Sequence, residues 1–554
     1  MERTKHRLTK FYCCTALAFL IFITACGSPA ADAVGTATVG NGAAPVDRRH
    51  EITSWDDPDI SWRQMADVPV TIEMYIDFEW YQLDTWGNCH VSQEITRRTG
   101  VSLDVTKASD TALLGVLYAA GNLPEMIFTS FQVERFFDSD HVWPWNELIT
   151  NYAPEFINLV DPVEIINNTQ PSGNFYTLRT HYSSAEDWAD PRNIPGPGAR
   201  VLAWRQDIQE ELGIPEITSI EGLMEAFHIV QRERPDMIVF APSPDLGEVL
   251  MRFMGASEGI APVIHNGVVQ LGFEGPRAFE WLELMNYMTR QGFLNTEFFI
   301  YARAQWQEIL RSGNVFATAH SSSVADDTNR FFAEVGMDDY WFTLAPQPLT
   351  WRGEILYEWV EAGIGWASLF ISRNARNPDR AIQFAQFLKS PEGDALTQWG
   401  IYGEHYTLDE DGLLIRPPNF FDLTVQDHGI GKWYFQASGL GEGVMVTSRL
   451  VGPYPQFAQN VRVLQAYKPF HIRDPARAFI HPLPDTDEFN IRNRLNELWN
   501  AARLEIYDAS SPEELRELYD AFVANAEALG ASRFREFTQQ AYDEARARYA
   551  GILP

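Results

Sequence analysis

Short apolar strands alternate with amphipathic helices in the region that follows the first 65 residues of this chain. The patterning predicts strands at 70–76, 101–105 and 125–128, and helices at 91–98 and 111–120 that end at Gly100 and Gly121. Strands that alternate with helices form mainly parallel sheets with helices on their faces. Because ligands of such sheets bind beyond the carboxyl ends of the strands, the pattern predicts an α/β fold with Ser130 at a binding edge.

Length and charge limit the classes of protein to which the chain can belong. With 554 residues it is too long for one compact core, so two or more domains are expected. Its 75 Asp and Glu against 43 Lys and Arg give a formal net charge of −32. Such a charge argues against binding nucleic acid or an anionic lipid surface through bulk electrostatics.

The N-terminus has the pattern of a secretory signal. Basic residues at positions 3, 5, 7 and 10 precede an apolar run of about fifteen residues, too short to span a membrane. The following Ile23-Thr24-Ala25-Cys26 resembles the lipobox of bacterial lipoproteins. We therefore expect a signal peptide at 1–25, a lipid on Cys26, and a lipidated N-terminus with a flexible spacer at 26–65. The predicted location is the extracellular face of the cell membrane; the alternative is an ordinary signal with an incidental cysteine.

Helix starts are well marked in the middle of the chain. Asp207 to Glu210 and Thr218 to Glu221 both have the spacing of a capping box, and Ser511 precedes Pro512 at the start of a long C-terminal helix. These signals belong to the scaffold. We therefore interpret Asp207 as a helix cap and not as a catalytic acid.

Six stretches, in order along the chain, resemble one family. They are Arg98–Val101, Ala119–Ile127, Gly173–Tyr176, Trp204–Pro215, Ile371–Gly393 and Gly400–Tyr406. They resemble motifs of extracellular solute-binding proteins of carbohydrate-type ABC importers, of family 1 type, in the subfamily of large Gram-positive lipoproteins. The chain departs from the family at Ile208, where a Trp is usual, and at Leu178-Arg179, where Leu-Pro is common. These departures affect details of the cleft.

The resemblance implies a two-lobed, periplasmic-binding-protein-like fold of type II, with the lobes joined by a hinge. Lobe 1 is expected at 66–185 plus 341–410 and lobe 2 at 195–340 plus 411–554. The first crossing is expected near 180–200, where 190–198 has a strong loop signal. The implied function is capture of an oligosaccharide and its delivery to the membrane subunits of an ABC permease. A monomer without cofactor or nucleic-acid partner is expected.

Candidate ligand-binding residues follow the first strand. A sugar receptor needs flat aromatic surfaces for C–H faces and polar groups for hydroxyls. The segment 77–88 supplies both, in Asp77, Trp80, Tyr81 and Trp86. The alternative is that these aromatic rings only cover the lobe.

Three further candidates rest on the resemblance. Ser322 lies in a serine turn after a strand-like run, as in the family. Trp366 precedes another strand at a position where the family often presents a ligand-facing residue. Glu404 lies in the Gly400–Tyr406 motif, although that motif alternatively only fixes a turn.

No catalytic motif is complete. The sequence Gly255-Ala256-Ser257-Glu258-Gly259 matches a nucleophile elbow, but a helix-like segment precedes it where the elbow needs a strand. Close carboxylate pairs are inevitable among 75 acidic residues, so they do not identify a glycosidase. We expect a binding protein and not an enzyme. The alternatives are a lipoprotein glycoside hydrolase or lyase, and a binder of a non-sugar solute on the same scaffold.

Overall fold

The computed structural model describes residues 57–108, 112–180, 182, 189, 193–195, 200–244, 249–361, 365–408, 414–430, 432, 434–436, 444–446, 455–483 and 486–549. The lipidation predicted at Cys26, and most of the loop predicted at 190–198, lie outside these residues. The α-helices are Ser61–Gln64, His90–Thr99, Ala112–Ala119, Trp145–Tyr152, Pro162–Asn168, Gln206–Glu211, Ile220–Glu233, Val249–Phe253, Ala278–Arg290, Arg303–Arg311, Ser322–Glu334, Pro378–Lys389, Pro391–Trp399, Val425–His428, Pro455–Tyr467, Asp487–Tyr507, Pro512–Leu529 and Ala531–Arg548.

The strands are short and form two main sheets and several ribbons. They are β1 (Val70–Ile76), β2 (Val101–Lys107), β3 (Met126–Thr129), β4 (Asn193–Pro195), β5 (Arg200–Arg205), β6 (Ile238–Phe240), β7 (Pro262–His265), β8 (Val268–Leu271), β9 (Val315–Ser321), β10 (Phe342–Leu344), β11 (Trp359–Glu361), β12 (Ser368–Ile371), β13 (Thr407–Leu408), β14 (Leu414–Ile415), β15 (Val444–Val446) and β16 (His471–Arg473). In the described part of the chain, no helix has the length and apolar character needed to cross a membrane.

The first sheet has the order β12-β3-β1-β2. Strands β1, β2 and β3 are parallel, in the register Val70 opposite Val101 and Met74 opposite Met126. Strand β12 is antiparallel to β3. The helix between β1 and β2 ends at Gly100, whose φ of 70° suits glycine. The strands and helices predicted from the alternating pattern between residues 70 and 129 are confirmed.

The second sheet has the order β10-β5-β9-β6. Strands β6 and β9 are parallel, whereas β5 is antiparallel to both β9 and β10. The α/β fold with parallel strands is therefore confirmed. The antiparallel pairings join strands more than a hundred residues apart in sequence, so no local pattern predicts them.

Each sheet has its own hydrophobic core, and we call the two bodies built on them the first and second lobes. The first core contains residues of β1 to β3 and β12, and the second contains residues of β5, β6, β9 and β10. The chain passes between the cores from Leu178 to Val201, from Tyr357 to Ala367 and from Phe435 to Val463. The lobe bounds given above stay predictions; β10 lies in the second sheet, and Tyr434 and Phe435 pack in the first core.

Two of the passing segments touch each other. The Thr180 N–H donates to the Ala367 carbonyl over 3.0 Å. A Cβ atom on Gly365 would lie only 1.4 Å from the Thr180 oxygen, so this approach requires glycine. Strand β11 of the second passage pairs in parallel with β16, with Trp359 opposite His471. These contacts form the region that we call the hinge.

The capping box predicted at Asp207 is wrong. Helix Gln206–Glu211 has Arg205 as its N-cap, and no side chain caps it. The Asp207 carboxylate instead binds the Arg205 guanidinium, with Nε–Oδ1 at 2.7 Å, because that cation is buried and needs a counter-charge. The second predicted box, at Thr218, is also wrong: the helix has a simple N-cap at Ser219, whose hydroxyl accepts from the Gly222 N–H at 3.0 Å, and Gly222 has no side chain to complete a box. Ser511 caps its helix as predicted.

Candidate functional site

The carboxyl ends of the strands bring several predicted residues to one edge of the first sheet. Asp77 directly follows β1, and Ser130 directly follows β3. Since β12 is antiparallel to β3, with Ser368 opposite Thr129, the residues that precede β12 lie at the same edge, and Trp366 is among them. Ser130 is exposed. The Asp77 side chain is 2% exposed and accepts a hydrogen bond from Thr129 Oγ1 at 2.8 Å, which fixes the start of the loop after β1.

Two tryptophans form a partly open aromatic surface at this edge. The ring centroids of Trp80 and Trp366 lie 5.5 Å apart at an interplanar angle of 36°, and each residue is 39% exposed. Phe78 is buried beside both rings, 5.4 Å from Trp80 and 4.9 Å from Trp366. We call these three residues the aromatic platform. Its exposed rings have the chemistry that stacks on the C–H faces of sugars.

Tyr81 lies behind the platform. It is 1% exposed, and its hydroxyl accepts a hydrogen bond from the Phe435 N–H at 2.9 Å. Its ring is nearly parallel to that of Phe435. The structure therefore places Tyr81 in the core of the first lobe.

Trp86 is also separate from the platform. Its indole N–H donates to Thr96 Oγ1 at 2.8 Å, and its ring packs edge-on against Phe384 and Tyr434. These contacts attach the loop after β1 to helix His90–Thr99. The structure therefore brings Trp80 and Trp366 together, but not Trp86.

The corresponding edge of the second sheet is built by β9 and β5. Strand β9 ends at Ser321, and Arg200 at the start of β5 lies opposite it. Ser322 is the first residue of helix Ser322–Glu334 and is fully buried. His320 Nδ1 lies 2.8 Å from Ser321 Oγ. The predicted serine turn is therefore a buried strand-to-helix junction.

Arg303 links the two lobes at the platform. It is the first residue of helix Arg303–Arg311, which contributes Trp306 to the second core. Its guanidinium carbon lies 5.5 Å from the ring centroid of Trp80. The platform of the first lobe therefore faces a cationic side chain of the second.

Glu404 belongs to a different cluster. Its Oε1 lies 3.0 Å from His90 Nδ1 and 3.5 Å from His405 Nε2, and the two imidazole nitrogens are 3.0 Å apart. These separations are close to the edges of about 3.3 Å expected for tetrahedral zinc with bonds of about 2.0 Å. The cluster is therefore the one to test as a metal site.

The hydrogen bonding of His405 does not fit a metal. The Ile401 N–H donates to His405 Nδ1 at 3.0 Å, so the neutral ring carries its proton on Nε2. A metal would need the lone pair of Nε2, which this tautomer lacks. Burial lowers the pKa of His405, which keeps the ring neutral. We therefore interpret the cluster as hydrogen bonding that holds the loop of Glu404 against helix His90–Thr99.

The hinge contains residues that the sequence analysis did not select. The rings of Trp359 and His471 are stacked, with centroids 5.4 Å apart and an interplanar angle of 1°. The guanidinium carbons of Arg200 and Arg252 lie 5.3 and 5.1 Å from the Trp359 centroid. The alternation of His471, Ile472 and Arg473 is a strand signal, but nothing local indicates that this strand pairs with β11.

Comparison with known proteins gives the fold. No family model matches the sequence, and no curated protein matches it. Among solved structures, alginate-binding protein AlgQ2 matches with a TM-score of 0.64 and 16% identity, over 86% of this chain and 98% of that one. An HMO-binding solute-binding protein from Bifidobacterium longum infantis matches with a TM-score of 0.61 and 14% identity, over 86% of this chain and 99% of that one. The Streptococcus pneumoniae substrate-binding protein FusA, in complex with kestose, matches with a TM-score of 0.61 and 15% identity, over 86% of this chain and 100% of that one. The chain therefore has the two-lobed fold of ABC-transporter solute-binding proteins, as the resemblance predicts.

Proposed function

We propose that this protein is the membrane-anchored, extracellular substrate-binding component of an ABC importer. It captures an oligosaccharide between its lobes and delivers it to the permease. The fold supports this proposal, and so do the ligands of three structural neighbours, which are alginate, HMO and kestose. The same neighbours are named as binding proteins, which favours a binder over a glycoside hydrolase or lyase.

The observation that carries the proposal is the aromatic platform. Trp80 and Trp366 keep exposed ring surface beside a buried Phe78, and polar groups at the same edge include Ser130. Contiguous exposed aromatic surface with polar groups around it is typical of a ligand-binding site. A sugar ring satisfies both features, because its C–H face stacks on indole and its hydroxyls bond to the polar rim.

Closure of the two lobes would produce the affinity. Only a closed state lets one ligand contact the platform and the second lobe together, so the ligand stabilises that state. Arg303 already reaches Trp80 from the second lobe.

The lipid on Cys26 would keep the receptor beside its permease. One acyl chain binds a membrane only marginally, whereas two hold a protein stably, so a diacylglycerol is a sufficient anchor. The segment 27–46, which follows Cys26, is rich in Gly and Ala. Such a composition suits a tether that lets the folded lobes move clear of the membrane surface.

Isothermal titration calorimetry against a panel of oligosaccharides tests the proposal. We expect saturable one-to-one binding to selected members, with no release of reducing ends over hours. Release of reducing ends by the purified protein would replace the proposal with the hydrolase or lyase alternative. Absence of heat across neutral, acidic and sulfated glycans would point to a non-sugar solute.

A further inference from the structure

Four arginines around the hinge form no ion pair with any residue in the described part of the chain. They are Arg179, Arg252, Arg473 and Arg492. Many arginines elsewhere are paired, including Arg97 and Arg98 with Glu94, Arg376 with Glu125, and Arg533 with Glu488. The chain has 75 acidic residues for 43 Lys and Arg, so counter-charges are plentiful. An exposed arginine without an ion pair is solvated by water, but these four are all partly buried. Four such guanidinium groups in one region therefore need an explanation.

The first part of this cluster lies around Trp359. Arg252 is 5.1 Å from the indole centroid, and His471 is stacked on the same ring. The Arg252 Nε is buried and makes no hydrogen bond. Arg473 is two residues beyond His471 on β16, so both side chains point to the same face of the strand.

The second part connects the cluster to the aromatic platform. The Arg473 guanidinium lies 5.8 Å from the ring centroid of Tyr182. Arg179 is three residues before Tyr182 and next to Thr180, which bonds to Ala367. Trp366 precedes Ala367 directly. Arg179 and Arg473 therefore lie in the part of the hinge that is next to the platform.

Electrostatic effects show the same concentration of positive charge. His481 is exposed, yet desolvation by the surrounding protein lowers its pKa. The charge of Glu134 raises that pKa, and the charges of Arg179, Arg492 and Arg477 lower it. Arg477 itself is engaged by the Pro262 carbonyl and lies near Asp474.

We propose that Arg179, Arg252, Arg473 and Arg492, with His471 and His481, bind the anionic groups of an acidic oligosaccharide. The inference rests on the proposed function and narrows its ligand class. The shared chemistry is a carboxylate or a sulfate ester carried on a sugar whose ring stacks on Trp80 and Trp366.

The physical reason is charge compensation. A guanidinium group that is partly removed from water without an anion is unfavourable, and its fork of N–H donors matches a carboxylate or sulfate in bidentate geometry. A neutral sugar would leave these charges uncompensated, so the cluster also selects against it. Glu134 supplies one negative charge against this group of cations and so limits, but does not cancel, the preference.

The test compares matched ligands on the wild-type protein by calorimetry. One arm uses uronate oligosaccharides and the same compounds after reduction of their carboxyl groups to neutral hexoses; a second arm uses sulfated and desulfated pairs. We expect each favoured acid to bind about ten-fold or more tightly than its neutral partner, with affinity falling as salt rises. The arm in which the difference appears identifies the anion. Equal or preferential binding of neutral partners overturns the inference but leaves the proposed function standing, whereas no binding to any glycan removes both.

Variants locate the effect. Arg179→Gln and Arg492→Gln should each weaken the acidic ligand about ten-fold and the neutral partner little. Arg494→Gln, on the same helix as Arg492 but exposed, is the control and should leave both affinities unchanged. Thermal unfolding identifies variants that fail to fold. If a variant fails to fold, the comparison of acidic and neutral ligands on the wild-type protein still tests the inference. Equal loss for acidic and neutral ligands in folded variants would also overturn the inference.

Discussion

The guanidinium carbon of Arg303 lies 5.5 Å from the ring centroid of Trp80. Arg303 begins a helix of the second lobe, and Trp80 belongs to the platform of the first. The interaction is a cation–π contact between lobes, and a contact of this kind on a partly exposed ring contributes about 0.5–1 kcal/mol. It favours an arrangement in which the lobes are close.

Replacement of Arg303 should therefore open the protein. In Arg303→Met, loss of about 0.5–1 kcal/mol would change the ratio of closed to open molecules by about two- to five-fold. The expected result is a larger radius of gyration by small-angle X-ray scattering without ligand. Arg311→Met, at the other end of the same helix, removes an ion pair with Glu308 within the second lobe and serves as the control. An unchanged radius in Arg303→Met would contradict the proposed role.

The platform tryptophans should carry sugar affinity without carrying stability. Trp80→Ala and Trp366→Ala each remove a ring that is 39% exposed. We expect each to weaken oligosaccharide binding by about 1–3 kcal/mol in calorimetry, as loss of a stacking ring does elsewhere.

A comparably exposed ring provides the control for the platform variants. Tyr152 is 41% exposed at the end of a helix of the first lobe, and Tyr152→Ala should leave affinity unchanged. Thermal unfolding of all three variants should stay close to that of the wild type. Unaltered affinity in both tryptophan variants would remove the platform from the binding site.

Asp207 offers a direct test between a cap and an ion pair. Asparagine caps helices as well as aspartate does, so Asp207→Asn would be nearly neutral if the residue were a cap. In the structure its carboxylate balances Arg205, which is 1% exposed and also donates to the Gly313 carbonyl at 2.5 Å. Removal of the carboxylate charge leaves the buried Arg205 cation without its counter-charge. We expect urea denaturation to show that the free energy of unfolding falls by about 2 kcal/mol. This is less than the cost of breaking a fully buried ion pair, because Asp207 is partly exposed.

Local sequence predicted the parallel strands of the first sheet because β1, β2 and β3 follow one another along the chain and are joined by helices of ordinary length. Local sequence selected Trp80 because it follows a strand, where parallel sheets present side chains to ligands, whereas Trp366 was selected from the family resemblance. The structure brings the two rings together, and their role in binding stays a prediction. Local sequence could not separate Tyr81 from Trp80. The partner that buries Tyr81 is Phe435, 354 residues further along the chain.

The hinge arginines were missed for the same reason. Arg179, Arg252 and Arg473 come from three distant segments, and each alone is an ordinary arginine of a soluble protein. Their significance comes from being unpaired together, which only the folded chain reveals. The prediction for Asp207 was wrong for a different reason, because the same residue fits both a capping pattern and an ion pair with the neighbouring Arg205.

The proposed anchor can be tested without a ligand. Cys26→Ser removes the sulfur that would receive the lipid and leaves the rest of the signal intact. We expect the protein to move from the membrane fraction to the medium, and metabolic labelling with a fatty acid to be lost. Cys89→Ser, which changes a buried cysteine of the folded part, should leave labelling unchanged. Fatty-acid labelling that persists in Cys26→Ser would contradict the anchor.

Stability should fall in mild acid because several histidines are held neutral. Burial lowers the pKa of His428 to about 4, and the neighbouring His405 and Arg416 lower it further, against the opposing charge of Asp427. His428 Nδ1 also accepts a hydrogen bond from the Ile430 N–H at 2.9 Å, which protonation would break. Burial lowers the pKa of His471 as well, to about 3.

The direction follows from the two states of His428. Between pH 6.5 and about 4 the unfolded chain binds a proton that the folded protein excludes, so the free energy of unfolding rises with pH in this window. The stabilisation that comes from keeping His428 neutral is fully present above pH 6.5. At pH 5, His428 alone lowers the free energy of unfolding by at most about 2 kcal/mol. His428→Asn keeps an acceptor for Ile430 and should reduce the difference in urea denaturation between pH 7 and pH 5. The exposed His265→Asn should retain the full difference, and equal pH dependence in both variants would show that His428 is not excluded from protonation in the folded state.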